Sequence, residues 1–499
     1  MNSNQQPEQD LPDLLQIRRE KLERLQELGV NPFPYNYKRT HTAKQAIDRF
    51  DELEKSEETV AIAGRIMAIR LMGKSCFAHL QDASGRLQFY VKKDVVGEDK
   101  YDIFKLFDIG DHIGLSGPLF RTRTGEITVR AESFELLSKS LHPLPIVKEK
   151  DGQTFDAFAD KEARYRQRYL DLVVNPEVRR VFEMRAKMVQ VVHQFMNEWK
   201  FLDVETPILQ PLYGGAAAEP FTTHHNVMEK ELYLRIADEL YLKRLIIGGW
   251  DRVYEMGKDF RNEGMDRTHN PEFTMLELYA AYEDYNFCMD LTEALVVKLA
   301  EEVTGSLKII YEDKQYDLSP PWQRHRFFDL LNEAVGGDVQ QMPDREIAAE
   351  CQKAGLKLDA AKTGRGKLMD KLFGAVVEPN LGGPCFVLDY PVELSPLAKK
   401  HRTDEGLVER FEGFWAGREF CNSFSELNDP LDQRARFEDQ AKLREAGDEE
   451  SHPIDEDFLR ALEIGMPPTA GLGIGFDRLV MFFTDQHSIR DVILFPQMR

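Results

Sequence analysis

Five short β-rich runs between residues 59 and 140 constrain this chain most: Val60–Ile66, Cys76–Leu80, Leu87–Val91, His112–Leu115 and Glu126–Arg130. Turn signals at Gly73, Ser84-Gly85 and Thr124-Gly125 separate them, and a helical interlude from Tyr101 to Phe107 splits the series. Short strands at regular spacing with one helix inserted suit a small five-stranded β-barrel of the OB-fold type.

Upstream, Leu14 to Leu28 reads as a charged helix stopped by Gly29, Pro32 and Pro34. Downstream, Leu141-His-Pro-Leu-Pro145 reads as a linker. The expected division is a charged helical extension (1–58), the barrel (59–145) and a larger region (146–499). In that region Val178, Val181, Phe182, Met188, Val189, Val192, Phe195, Met196 and Trp199 recur at helical spacing. They run into Phe201-Leu-Asp-Val-Glu-Thr-Pro207, a strand closed by proline. Arg252–Gly257 and Phe273–Tyr282 read as two strands joined by the polar loop 262–270, and 329–371 as a less apolar helical insertion. A helix, a strand, a long-looped hairpin and late strands make an α+β domain on an antiparallel sheet flanked by helices.

A chain of 499 residues exceeds one ordinary core, so two or three domains are expected. No apolar run is long enough to cross a bilayer, so no membrane partner is expected. Met1–Asp10 lacks the basic and apolar regions of a secretory signal. The five cysteines are scattered without zinc or disulfide spacing, which fits a reducing cytoplasm. The net charge of −21 at first argues against a nucleic-acid partner, and no DNA partner is expected, yet basic residues cluster locally, as at Arg18, Arg19, Lys21 and Arg24, or at Arg121, Arg123 and Arg130. Charge alone favours a solvated surface over a polyanion-binding stripe.

The chemistry concentrates in three stretches. Arg261 closes a predicted strand; alone it reads as a surface partner of Glu255 or Glu263, but His269, Asn270 and Phe273 follow it. An arginine, a foldable loop and an aromatic ring form a nucleotide clamp, and no Walker loop occurs elsewhere. Gly471-Leu-Gly-Ile-Gly475-Phe-Asp-Arg478 lets backbone approach a flat ligand and places Arg478 to stack on a purine. Glu412 and Glu419 offer hard oxygens for Mg²⁺, or are simply two solvated carboxylates.

These residues resemble a known family. Phe260-Arg-Asn-Glu-Gly264, His269-Asn-Pro-Glu-Phe273 and Gly471-x-Gly-x-Gly-x-Asp-Arg478 are similar to motifs two and three of the class II aminoacyl-tRNA synthetases, and Phe201–Pro207 to motif one, the dimer interface there. Gly214-Gly-Ala-Ala-Ala218, Arg235-Ile-Ala-Asp-Glu-Leu-Tyr-Leu-Lys243 and Phe424-Ser-Glu-Leu-Asn428 narrow the resemblance to the bacterial-type lysyl-tRNA synthetases. It implies a homodimer that activates L-lysine with ATP and Mg²⁺ and charges tRNA(Lys). Arg261, His269 and Arg478 would be catalytic; Arg261, Glu263, His269, Asn270, Phe273 and Arg478 would bind ATP, with adenine between Phe273 and Arg478. Glu412 and Glu419 would hold Mg²⁺. Glu426, assisted by Tyr279, would meet the lysine ε-ammonium and Glu239, with Gly215 nearby, the α-amino group; Glu277, Asn422, Phe424 and Arg261 would complete the lysine pocket. The sibling enzymes for aspartate and asparagine need cationic or amide groups facing their side chains, and an acidic pocket end argues against both, because like charge repels the aspartate carboxylate.

In the barrel, Phe77 would stack on an anticodon base while Gln88 and Glu126 read its edges; the competing reading of Phe77 is core packing. The chain departs from the family pattern at Lys200, where motif one often carries glycine, and at Cys421 and Ser423 beside Asn422. His112-Ile-Gly-Leu115 and Leu136-Leu-Ser-Lys-Ser140 imitate class I synthetase signatures, but those belong far apart on a Rossmann domain and here share one β-rich stretch.

Overall fold

The structure, a computed structural model, describes residues 10–145, 148–150, 153–155, 158–358, 363–445 and 453–498. It divides into two compact units, Met1–Ala159 and Asp160–Arg499.

In the first unit, strand Val60–Met72 buries Val60, Ile62 and Ile66 on one face, the period-two pattern of a half-buried strand. Its first half pairs with His112–Gly117 and its second with Ser75–Gln81. The changeover falls at Arg65, next to Gly64, where a Cβ would lie 2.7 Å from the Gln81 carbonyl oxygen, so the close approach requires glycine. Ser75–Gln81 continues to Arg86–Lys92, which pairs in parallel with Ile127–Ala131. After Glu132, Ser133–Ser138 pairs back onto His112–Gly117 and closes the ring. The five-stranded barrel is therefore formed with its last strand broken at Glu132, whose N–H still donates to the Ser116 carbonyl at 2.8 Å. An unforeseen strand, Leu119–Arg121, pairs with Ile127–Ala131.

The helical extension is not separate from this unit. Leu25, Ala43, Ala46, Phe50 and Leu53 are buried in the same apolar core as the barrel strands. Arg18, 8% exposed, donates to the carbonyls of Ile109, Ser140 and His142, so the start of the expected linker is anchored.

In the second unit an eight-stranded sheet runs in the order Leu202–Asp203, Arg252–Phe260, Glu272–Ala281, Thr469–Gly475, Arg418–Ser425, Arg410–Trp415, Cys385–Leu388, Gln323–Arg326. The pair at each edge is parallel and all inner pairs are antiparallel. Helix Pro176–Glu198 starts with proline in its first turn, where no N–H is needed, and buries Val178, Val181, Met188, Val191, Val192, Phe195 and Met196. Each such side chain contributes about 1.5–3 kcal/mol of burial. Beyond its end Lys200 takes φ +64°, the left-handed turn that favours glycine. The strand expected over 201–207 shortens to Leu202–Asp203, because the Thr206 N–H leaves the ladder for Glu255 Oε2 at 2.9 Å. Helices Phe327–Val335, Asp344–Lys353 and Arg365–Val376 carry the expected insertion around their own core of Phe327, Leu331, Ile347, Leu368 and Phe373; residues 359–362 of it lie outside the described residues. No described helix is long and apolar enough to cross a membrane.

Candidate active site

The antiparallel register assembles the site. Glu277 pairs with Gly473 and Gly473 with Asn422; in the next outward-facing row Tyr279 pairs with Gly471 and Gly471 with Phe424. Two bare glycines thus lie between two pairs of functional side chains. A Cβ on Gly471 would fall 2.0 Å from Glu426 Oε1 and 2.5 Å from the Tyr279 ring, so no other residue fits. Above this floor lies a cavity of about 280 Å³, lined among others by Gly215, Glu239, Arg261, Glu263, His269, Asn270, Phe273, Glu277, Tyr279, Glu419, Asn422, Phe424 and Arg478. Glu412 and Glu426, expected in the site, are not in its lining.

Arg261 sits with its guanidinium 5.1 Å from the Phe273 ring centroid, a cation–π distance, and its Nε donates to the Ile236 carbonyl at 3.5 Å. No ion pair joins it to Glu255 or Glu263 among the described residues; Glu255 instead accepts from Arg235 at 2.6 Å. The 261–271 loop is pinned by Asp266, which accepts from the N–H groups of Thr268 and His269 and from the His269 ring at 2.8 Å. Burial would raise Asp266, but the bonds from His269 and Thr268 outweigh it and hold the carboxyl at about 2. With Nδ1–H given to Asp266, His269 Nε2 accepts from Arg478 at 3.3 Å. Arg478 also donates to the Glu419 carbonyl at 2.6 Å and to its carboxylate at 3.1 Å, so it lies across the cavity rather than over Phe273. The preceding residue, Asp477, ties the start of their helix to the neighbouring strand: it accepts from the Thr274 N–H at 2.7 Å and from Arg185. Asn270 is buried, and its Oδ1 has no hydrogen-bond partner.

The far end of the site is acidic and dry. Glu239, Glu277 and Glu426 are 5%, 6% and 1% exposed. Glu277 Oε2 and both Glu426 oxygens accept no hydrogen bond within normal geometry. Burial pushes Glu277 well above the usual carboxylate range, reinforced by the charges of Asp259 and Glu239. Glu426 is raised in the same way, by burial and by Glu239, against the pull of Lys243. Lys243 was not foreseen: fully buried, its Nζ forms ion pairs with both Glu239 and Glu426. It lies 5.5 Å from the Phe424 ring centroid and 6.0 Å from that of Tyr279.

Glu412 stands beside Asn422 on the neighbouring strand and accepts from Arg410 at 2.6 Å and from the Tyr390 hydroxyl at 2.8 Å. Burial brings it up to about 7 despite Arg410, with Glu419 and Asp370 adding to the rise. Glu378 also reaches about 7, through burial and the charges of Glu419 and Asp370. Four carboxyls that repel one another's charge suit a divalent cation. Among the described residues, however, no three potential ligands converge to hold a metal by themselves. A cation here would need oxygens from a bound phosphate as well.

On the barrel, Phe77 is half-buried and alternates with the fully buried Cys76 and Ala78. It faces Tyr90 across the strands at 4.6 Å between ring centroids. Gln88 donates to Glu126 at 2.7 Å and accepts from Thr128 at 2.7 Å. His79, also unforeseen, lies 2.6 Å from the other Glu126 oxygen.

The family model described as tRNA synthetases class II (D, K and N) matches residues 160–499, and that of an OB-fold nucleic acid binding domain matches 60–137. The chain belongs to the class II tRNA synthetases. The lysine–tRNA ligase of Pelotomaculum thermopropionicum is 52% identical to this synthetase over 99% of this chain and 96% of its own. That of Carboxydothermus hydrogenoformans is 50% identical over 98% and 99%, and that of Thermoanaerobacter pseudethanolicus 51% over 98% and 97%. Beneath the site the synthetase holds a further group missed in the sequence: Arg235, 1% exposed, contacts Asp238 at 2.8 Å, Glu255 at 2.6 Å and Asp259 at 3.2 Å. One guanidinium cannot neutralise three buried carboxylates. Burial, then the charges of Asp259 and Glu277, push Asp238 up to about 10, so it keeps its proton.

Proposed function

We propose that this class II synthetase activates L-lysine with ATP to lysyl-adenylate and transfers the lysyl group to the 3′ end of tRNA(Lys). The observation that carries this reading is the buried acidic end of the cavity. Glu239 and Glu426 are held there beside glycines, and Glu426 Oε1 lacks a donor. A buried carboxylate without a hydrogen bond costs several kcal/mol and suits a cationic ligand. Full-length likeness to lysine–tRNA ligases points the same way.

In this reading the lysine ε-ammonium meets Glu426 and the Tyr279 hydroxyl, and the α-ammonium meets Glu239 beside Gly215. Arg261 holds the carboxylate and the α-phosphate, and Glu277, Asn422 and Phe424 wall the pocket. Glu263 and Asn270 receive the nucleotide, adenine rests on Phe273 once Arg478 turns onto its other face, and His269 meets the outer phosphates. Glu412 and Glu419 would hold Mg²⁺, which when bound offsets phosphate charge. In-line attack by the lysine carboxylate then needs positioning and fixed positive charge rather than a general base. The tRNA hydroxyl attacks the adenylate in the second step.

The division of labour follows the expected boundaries: 1–58 supports, 59–145 reads the anticodon through Phe77, Gln88 and Glu126, and 146–499 catalyses. Leu202, Ile208, Leu209 and Leu212 are 40–50% exposed around the first motif, which supports a homodimer interface there. Five buried free thiols support a reducing, cytoplasmic setting. Lysine-dependent exchange of pyrophosphate into ATP is the test. Exchange with lysine and not with aspartate or asparagine is expected, and folded protein that exchanges with none of them overturns the reading.

A further inference from the structure

Lys243 occupies an unusual place. It is an ammonium from the chain itself, 0% exposed, at the end of a pocket whose proposed ligand also carries ammonium groups. The reading just given leaves it without a role. Its Nζ takes Oε1 of Glu239 and Oε2 of Glu426. The remaining oxygens point elsewhere. Glu239 Oε2 lies 3.8 Å from the position a Cβ on Gly215 would hold, and Glu426 Oε1 lies 2.0 Å from the corresponding position on Gly471. Each free oxygen therefore faces a glycine, and both glycines line the cavity.

We propose that Lys243 is a positioning residue for the amino-acid site: by taking one oxygen from each of two glutamates, it leaves two separate carboxylate edges for the two ammonium groups of one diamino acid. The inference rests on the lysine reading above and adds to it what sets the spacing and ionisation of the two receptors. Two carboxylates this close and this dry cannot both stay charged alone; they would share a proton. A resident ammonium works against that need, although burial still holds both glutamates above the usual carboxylate range. Burial raises both glutamates and Lys243 opposes the rise in each. The other ionisable groups acting at this point are Glu277, raised by burial and by the charges of Asp259 and Glu239; Arg410, which also lowers Glu239; Tyr279, whose hydroxyl is pushed up by burial and these charges; and Cys288, raised to about 12 chiefly by burial. None of them can replace the lysine as a fixed positive charge bridging both glutamates. Phe424 and Tyr279 flank it with aromatic faces, which hold an ammonium without neutralising it.

The test is lysine-dependent pyrophosphate exchange in native protein, Lys243→Met and Lys243→Arg, with KM for lysine and for ATP measured across pH. In Lys243→Met a proton takes the place of the ammonium. The lysine KM should rise about tenfold or more near neutral pH while the ATP KM stays within about twofold, and lysine kcat/KM should recover as pH rises. The ratio of lysine to norleucine activation should fall with it. Lys243→Arg keeps the charge but displaces it, so its pH profile should match the native one with lysine KM raised several-fold. If the methionine variant does not fold, the arginine variant decides alone. A lysine KM and pH profile equal to native in a folded variant would reduce Lys243 to a structural ion pair and overturn the proposal. Native protein without lysine-dependent exchange would instead sink the functional reading itself, so the two failures are distinguishable.

Discussion

Single side chains at the acidic end of the cavity make the sharpest demands. Glu426→Gln removes the charge next to Gly471 while keeping shape, so lysine KM should rise by about a hundredfold and ATP KM should hardly move, as steady-state exchange would read. An unmoved lysine KM would remove Glu426 from the pocket. Asp238 makes a different demand. Its folded value, about 10, stands above the ordinary 3.8, so its contribution to stability is present at low pH and is lost as pH rises toward the folded value. Asp238→Asn is neutral at every pH and so removes the proton requirement. It should gain stability over native by about 1 kcal/mol per pH unit at most, and more at pH ~8 than at pH ~5, in urea melts. An equal effect at both pH values would show that Asp238 is ionised in the folded protein.

At the scale of elements, Lys200 closes the helix Pro176–Glu198 in a left-handed turn that costs an L-residue about 1–2 kcal/mol. Lys200→Gly should raise stability by about 0.5–1 kcal/mol in thermal or urea unfolding, the unfolded-state entropy of glycine taking back the rest. What could be read in the chain beforehand follows the same physics. Barrel strands with alternating buried residues, such as Ser75–Gln81, were legible because period two survives in the letters. Leu119–Arg121 and Ser133–Ser138 were not: one is three residues long, and the other is half polar, with only Leu136 buried in it. The loop and glycine motifs were legible because their residue types are locally constrained. Lys243 and Arg235 were not, since a basic residue in a helix or at a strand end reads as solvent-facing. Only the folded sheet brings Glu426, Glu255 and Asp259 against them.

At the scale of the molecule, each of the two units carries a separate task in the proposed reading, and that separation can be measured. Phe77→Ala and Glu126→Gln alter the outer barrel face, where Glu126 is bonded to His79 and Gln88. Aminoacylation should show tRNA KM raised about tenfold or more, in line with a lost base stack, while tRNA-independent exchange stays at the native rate. A loss of exchange in these variants would mean the units are not independent in function. The glycine row under the cavity also limits how this protein can change over generations. With peptide backbone as its base, and Tyr279 and the Glu426 carboxyl pressed against Gly471, a mutation there brings collision rather than a new preference. Gly473, where a Cβ would meet nothing nearer than the Met275 Cε at 3.3 Å, has room to vary, so a new ligand choice has to enter there, through the walls or through the 261–271 loop.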